Sequence, residues 1–294
     1  MNNPIIVLTG PTASGKTALS IEIAKKYGCE IVCADSMTVY RDMDIGTAKI
    51  TLEEMHSIPH HMIDIISPDE EFNAAIFCEK AKELVDQIRT RDKIPLFVGG
   101  SVMYLDAYIY DYQMPEVVPN TKLRLELIGK TEEELFKQLC SCDPDCEWTV
   151  DRHNKRRLIR AIEICTSTGK PLADKRTKMP FPDNVLYLAL DVDREKLYTN
   201  IDKRVDDMFR QGFVDEVRNL HNVYDHNIAM QAAGYRQVIQ FLDGEIDLET
   251  AVQKTKQVHR NFAKRQLTWL RRNDDIQWIK NTEEAEGIIN KFLL

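Results

Sequence analysis

Pro4-Ile5-Ile6-Val7-Leu8-Thr9-Gly10-Pro11-Thr12-Ala13-Ser14-Gly15-Lys16-Thr17 joins an apolar, β-branched run to a glycine-bracketed loop. The run reads as a strand buried in a parallel sheet. Gly10–Thr17 fits the phosphate-loop pattern G-x-x-x-x-G-K-[ST] at every position, and Ala18, Leu19, Ile21, Ile23 and Ala24 continue it into a helix. Strand, loop and helix in this order let the backbone of Gly10, Pro11, Thr12, Ala13, Ser14, Gly15, Lys16 and Thr17 curl so that its N–H groups, absent only at Pro11, point at phosphate oxygens at the positive end of a helix dipole. Lys16 adds a point charge, and the Thr17 hydroxyl is a candidate ligand for Mg²⁺. The loop alone leaves open whether it binds a nucleotide such as ATP or another phosphate compound, and what is transferred.

Outward from this loop, strands alternate with helices. Glu30–Ala34, Ile94–Val98, Val185–Leu190 and Ile276–Ile279 read as strands, with a short extended segment at 58–64. Helices are expected over 72–90, 101–110, 194–221, 235–241 and 248–270, with another at the C-terminus. The expected fold is α/β: a doubly wound parallel sheet forming a phosphate-loop core. Its texture changes near Met114-Pro115. Between there and Pro182 the sequence offers helices around 121–128, 132–140 and 154–167 and no strong strand. The expected division is therefore a first part of the core, 1–113, a helical insertion, 114–182, and a second part of the core, 183–294.

The 294 residues are 43% hydrophobic and 29% charged, as in a soluble globular protein. No apolar run approaches the length of a membrane span and no signal peptide precedes the first strand, so a cytoplasmic protein without a membrane partner is expected. The seven cysteines are expected to be free thiols in a reducing compartment. Cys140, Cys142 and Cys146 cluster near His153 but lack the paired C-x-x-C units of a zinc site. Adjacent His60 and His61 point to opposite sides of an extended chain, which argues for structural roles over a shared metal.

Net charge is −8, which at first argues against a nucleic-acid partner. Its distribution says otherwise. Residues 151–179 carry nine cations against three acids, and residues 254–272 carry seven cations and no acid. Each band is either the footprint of a polyanion or a solvated helix face. Asp35 ends the second strand, where open α/β sheets bind ligands. It is a candidate general base, a metal ligand, or the cap of a turn.

The motifs become specific in combination. Gly10–Thr17 as G-P-T-A-S-G-K-T, Asp35–Arg41, Met43–Lys49, Pro59–Asp64, Pro95–Ser101, Arg157–Glu163, Gly234–Arg236 and Lys264–Arg271 together resemble the tRNA dimethylallyltransferase family of bacterial type, over nearly the whole chain. The resemblance implies transfer of the five-carbon group of dimethylallyl diphosphate to N6 of the adenosine 3′ to the anticodon, with release of diphosphate. It implies that Lys16 and Thr17, with Mg²⁺, take the charge of the leaving group, that Asp35 accepts the amine proton, and that Ser101 lines the channel where the two substrates meet. It further implies tRNA contacts from Asp35, Ser36, Met37, Thr38 and Ser101 at the strand ends. More would come from Arg124, Arg156, Arg157, Leu158, Ile159 and Arg160 on the insertion, gripping the anticodon stem-loop, and from Gln231, Gly234, Tyr235, Arg236, Lys264, Arg265, Gln266, Trp269 and Arg271. On this reading the basic bands belong to RNA and the enzyme is a monomer.

The chain departs from the family pattern at Thr38 (usually Gln), Ser101 (usually Thr), Val102 (commonly Gly or Met) and 150–154. The usual D-P-x-x-R is only partly matched at Arg124. These positions bear on substrate preference more than on reaction type. Three alternatives share the phosphate loop or the RNA surface: an enzyme prenylating free adenine nucleotides, a small-molecule kinase, and a tRNA-binding paralogue without catalysis. The first two have no use for two basic bands.

Overall fold

In the computed structural model, residues 3–112, 117–172, 179–182, 184–224, 227 and 229–294 are described. Met114-Pro115 and the cations Lys175, Arg176 and Lys178 of the first basic band lie outside them. The chain divides into two compact units, one of Met1–Ile109 with Phe181–Leu294, the other of Tyr110–Pro180.

The first unit is built on a six-stranded sheet. Its strands are β1 (Ile5–Thr9), β2 (Cys29–Cys33), β3 (His60–His61), β4 (Ile94–Gly99), β5 (Val185–Leu190) and β6 (Gln277–Ile279). They run β3-β2-β4-β1-β5-β6, with every neighbouring pair parallel. β1 is buried along its whole length, which is why its run is continuously apolar. Helix α1 (Lys16–Tyr27) crosses from β1 towards β2 and is closed by Gly28 in the left-handed conformation, φ +66°. Helix α2 (Ala74–Arg89) starts at Asn73, whose side chain accepts from the amides of Ala75 and Ile76. α3 (Val102–Ile109) follows β4. The chain builds β2, β3 and β4 on one side of β1, then β5 and β6 on the other, so the C-terminal end of β1 lies at a topological switch point.

Between Tyr110 and Pro180 lie α4 (Thr121–Ile128), α5 (Glu132–Cys142), α6 (Cys146–Thr149) and α7 (Lys155–Thr168), around a core that includes Leu127, Leu135, Leu139, Leu158 and Ile162. The single helix expected over 194–221 is in fact two. α8 (Arg194–Arg210) stops and α9 (Phe213–Tyr224) restarts across Gly212, whose φ of +102° breaks the helical path. α10 (Tyr235–Leu242), α11 (Leu248–Leu270) and α12 (Thr282–Leu293) complete the first unit. Among the described residues, no helix is long and apolar enough to cross a membrane.

Candidate active site

The phosphate loop turns where β1 ends. Gly10 (φ +148°), Ala13 (φ +60°) and Gly15 (φ +94°) take positive φ, and Gly15 caps α1. Lys16 folds back over the loop, its Nζ donating to the carbonyls of Gly10 (3.0 Å) and Pro11 (2.7 Å). The Ala13 carbonyl accepts from Asn200 Nδ2 of α8 at 3.2 Å. The amide of Thr12 is not turned to a ligand: it donates to Gln266 Oε1 of α11 at 2.9 Å.

Beside the loop, the ends of β2 and β4 come together. Gly99 is required there, because a β-carbon would collide with the carbonyl of Ala34. This close approach lets Ser101 Oγ accept from the amide of Ser36 at 3.0 Å, which leaves the Ser101 proton for another acceptor. Asp35 Oδ1 accepts from the amides of Met37 (2.8 Å) and Thr38 (3.4 Å), capping the turn and orienting the carboxylate.

The residue that sequence reasoning missed is Arg204 on α8. It donates from NH2 to the carbonyl of Thr47 at 3.1 Å, its charge acts on Lys16, and it feels the charge of Asp35. Burial lowers the Lys16 pKa, repulsion from Arg204 adds to that, and Asp35 opposes it, leaving Lys16 at about 7. Arg204 is also lowered by burial, with Asp35 opposing. Two cations are thus held close with one carboxylate. Ser14 Oγ and Arg204 Nε, on residues lining this side of the loop, and Thr38 Oγ1, in the turn that Asp35 caps, are buried without a hydrogen-bond partner among the described residues. A cavity of about 610 Å³ opens on the loop, lined among others by Ser14, Lys16, Thr17, Lys49, Lys203 and Arg204. Asp44, Glu54 and Asp207 also line it, so its cations outnumber its acids by four to three, with Lys16 on the loop itself. Nothing in local spacing marks Arg204; its partners are far away in the chain.

The 43–49 loop borders this cavity through Asp44, Ile45, Ala48 and Lys49. Its fold is fixed by two charged anchors, the buried ammonium of Lys49 and the half-buried carboxylate of Glu216. Lys49 Nζ donates to Tyr40 O (2.8 Å), Asp44 Oδ1 (2.6 Å) and Asp64 Oδ1 (2.5 Å). The Glu216 carboxylate accepts from the amides of Asp44, Ile45 and Gly46 and from the Tyr235 hydroxyl. Tyr235, expected to touch RNA, is buried and is used in this anchor, and Gly234 is the buried start of α10. Gln231 and Arg236 are exposed.

Among the described residues, the two basic bands sort into cations held in ion pairs and cations left exposed. On α11, Lys256 pairs with Asp206 and Arg260 with Asp202, whereas Lys264 and Arg265, and Arg271 just past its end, are exposed. Trp269 is 40% exposed and donates Nε1 to Asp106 at 2.7 Å. Gln266, expected to contact tRNA, is buried. In the helical unit, Arg156 and Arg157 are exposed and Ile159 is half-buried. Leu158 was expected at the RNA surface too. It is wholly buried in the core of that unit, because it falls on the inner face of α7.

Arg124 and Arg160 converge on the buried carboxylate of Glu163, Arg124 through NH2 (2.8 Å) and Nε (2.9 Å) and Arg160 through NH1 (2.5 Å); the Asn120 amide adds a fourth bond. Burial pushes the Glu163 pKa up, but these bonds outweigh it and bring it from 4.5 to about 2. A depressed carboxylate pKa gives stability that is present above 4.5 and lost as pH falls towards 2. We expect Arg160→Ala to cost about 1.5–3 kcal/mol, the range for hydrogen bonds to a charged group. Arg156→Ala and Arg157→Ala should leave stability nearly unchanged. Thermal melts across that acid range check both, and equal melts for Arg160→Ala and Arg157→Ala would contradict the pairing.

The expectation of free thiols fails at Cys140 and Cys146, which form a disulfide across the α5–α6 turn, Cα–Cα 5.7 Å. Composition spoke for the compartment; the turn at Asp143-Pro144 decides the proximity. His60 and His61 do point apart: His61 Nε2 meets Glu30 Oε2 at 2.7 Å and His60 Nδ1 meets the Ile58 carbonyl at 2.8 Å.

Comparison with known proteins gives consistent relatives. Residues 38–273 match the family model described as IPP transferase. A tRNA dimethylallyltransferase of Natranaerobius thermophilus is 43% identical over 97% of this chain and 89% of its own length. One of Oceanobacillus iheyensis is 42% identical over 99% of this chain and 96% of its own. The crystal structure of a full-length tRNA isopentenylpyrophosphate transferase from Bacillus halodurans superposes with a TM-score of 0.76 at 34% identity, covering 99% of this chain and 97% of that one. A eukaryotic dimethylallyltransferase solved acting on tRNA superposes at 0.84 with 28% identity, covering 99% and 80%.

Proposed function

The chain belongs to the IPP transferase family, and from that membership and the geometry of its cleft we propose that it is a tRNA prenyl transferase that moves the dimethylallyl group of dimethylallyl diphosphate to N6 of the adenosine 3′ to the anticodon. The observation that carries the reading is the pairing of Lys16 and Arg204 at the mouth of the phosphate loop with Asp35 and Ser101 at the adjoining strand ends. Two enclosed cations are repelled by each other until an anion arrives, which suits a diphosphate better than a neutral ligand.

In this mechanism the leaving group sits on the amides of Ala13–Thr17 with Lys16 and Arg204 on its oxygens. The oxygen donors available there, the Thr17 hydroxyl and the diphosphate itself, fit Mg²⁺, which would share the charge of the departing diphosphate. The target base leaves its stack to reach the strand ends. N6 forms a bond to the first carbon of the dimethylallyl group as the carbon–oxygen bond breaks, and the electron pair leaves with diphosphate. Asp35, oriented by the Met37 and Thr38 amides, takes the proton from N6. Ser101 and the buried Thr38 hydroxyl offer hydrogen bonds to the base. Arg156 and Arg157 meet phosphates of the anticodon stem-loop; Lys264, Arg265 and Arg271 meet others, and the partly exposed Trp269 offers a face for stacking.

Labelled dimethylallyl diphosphate, incubated with the protein, Mg²⁺ and either unmodified tRNA, AMP, or ATP with small acceptors, tests the reading. Label in tRNA supports it; label only in AMP, or phosphate transfer from ATP, refutes it. A second expectation concerns the exposed cations. Arg156→Ala and Arg157→Ala should each weaken tRNA binding and reduce the slope of log affinity against log salt by roughly 0.7–0.9. Pyrophosphate binding should be unchanged. An unchanged slope in both would make this band a solvated face.

A further inference from the structure

We propose that Gln266 is a positioning residue that fixes the phosphate loop against the Ser101 turn, rather than a contact to RNA. α11 carries Lys264 and Arg265 on its outer side and Ala263, Gln266 and Leu270 on its inner one, a spacing of three and seven that puts the last three on a single buried face. The amide of Gln266 is used at both ends. Its Oε1 accepts from the Thr12 amide at 2.9 Å, and its Nε2 donates to the Gly100 carbonyl at 2.8 Å.

These two backbone groups belong to the two halves of the reaction. Thr12 lies in the loop whose neighbouring carbonyl, Pro11, holds Lys16. Gly100 precedes Ser101, whose hydroxyl holds the Ser36 amide beside Asp35. Gln266 therefore spans from the leaving-group side to the acceptor side. Gly100 confirms how closely the side chain is fitted: a β-carbon there would collide with Gln266 Nε2, while its next neighbour beyond that side chain, the Gly10 carbonyl, stands at 3.6 Å. The fit needs an amide. A carboxylate would accept from Thr12 but turn an oxygen to the Gly100 oxygen, and an aliphatic side chain would leave a buried donor and a buried acceptor unpaired.

The inference rests on the diphosphate reading of the phosphate loop, and the test separates the two. Magnesium pyrophosphate affinity, tRNA affinity and single-turnover rate at saturating substrates are measured for the wild type, Gln266→Ala and Gln266→Glu. We expect the rate to fall about 10²-fold in both variants, the scale of a misplaced reacting pair, with tRNA affinity unchanged. Gln266→Glu should recover as the pH is lowered, because the protonated carboxyl donates again to Gly100; Gln266→Ala should not. Gly100→Ala should be harmful in the wild type and nearly silent in the Gln266→Ala background. Should a variant fold poorly, the isosteric Gln266→Glu and its pH profile still decide. Lost tRNA affinity with a wild-type rate at saturation, or additive effects at positions 100 and 266, overturns the positioning role. Pyrophosphate that fails to bind even the wild type removes the diphosphate reading and this role with it; pyrophosphate binding and turnover that match wild type in both variants remove this role alone.

Discussion

Asp35→Ala should lower the single-turnover rate of prenyl transfer by about 10²–10⁴-fold, the usual contribution of a positioned general base, while tRNA affinity stays near wild type. The exocyclic amine of adenine is a weak nucleophile, and its proton must go somewhere as the carbon–nitrogen bond forms. Asp35 stands at the end of β2, and its Oδ1 is fixed by two amides. Those same bonds raise a rival explanation, that Asp35 only caps the turn. Asp35→Asn separates the two, because the asparagine oxygen keeps the Met37 and Thr38 bonds but has no charge to take a proton. A loss in Asn as deep as in Ala supports the base; a wild-type rate in Asn would leave Asp35 as a cap. Pyrophosphate should bind Asp35→Ala at least as well as wild type, since a negative charge beside Lys16 and Arg204 has been removed.

The second large effect belongs to the cations. Lys16→Ala and Arg204→Ala should each lower turnover by about 10²–10³-fold, as when a preorganised donor to developing negative charge is removed, and both should weaken competitive inhibition by pyrophosphate. The pH dependence sharpens this. Lys16, held at about 7 first by burial and then by Arg204, is partly neutral near neutrality. A bound diphosphate favours its charged form, so binding takes up a proton and affinity falls as pH rises through 7 and above. Removing Arg204 takes away one cause of the depression and should move that fall to higher pH. Pyrophosphate titrates equally in both experiments, so the difference between the wild-type and Arg204→Ala profiles isolates Lys16. Coincident profiles would show that Arg204 does not act on it.

Much of this site was legible in the sequence because its signals are local. The phosphate loop is eight consecutive residues between an apolar strand and a helix, and a strand followed by Asp35-Ser36 announces a ligand-binding edge. α11 was legible to its ends because Asp247 caps it and Leu270 closes its apolar stripe. What escaped depends on contacts between distant segments. Arg204 looks like any cation on an amphipathic helix until α8 is laid beside the phosphate loop. Arg160 could be paired with Glu163 three residues on, but Arg124 and the Asn120 amide reach the same carboxylate from another helix's start. Gln266 stands between cations in the sequence and faces away from them in the helix. The spacing over 194–221 predicts one continuous helix because Gly212 is tolerable in a helix; only its positive φ shows the break.

On the proposed reading, one cleft joins a diphosphate leaving group to an adenine amine of tRNA. The most direct measurement is nucleoside analysis of unmodified tRNA after reaction with dimethylallyl diphosphate and Mg²⁺, for wild type, Asp35→Asn and Lys16→Ala. N6-dimethylallyl adenosine is expected at the single position 3′ to the anticodon with the wild type, and almost none with either variant. Unmodified tRNA with the active wild-type protein, or prenylation that survives both substitutions, would contradict it.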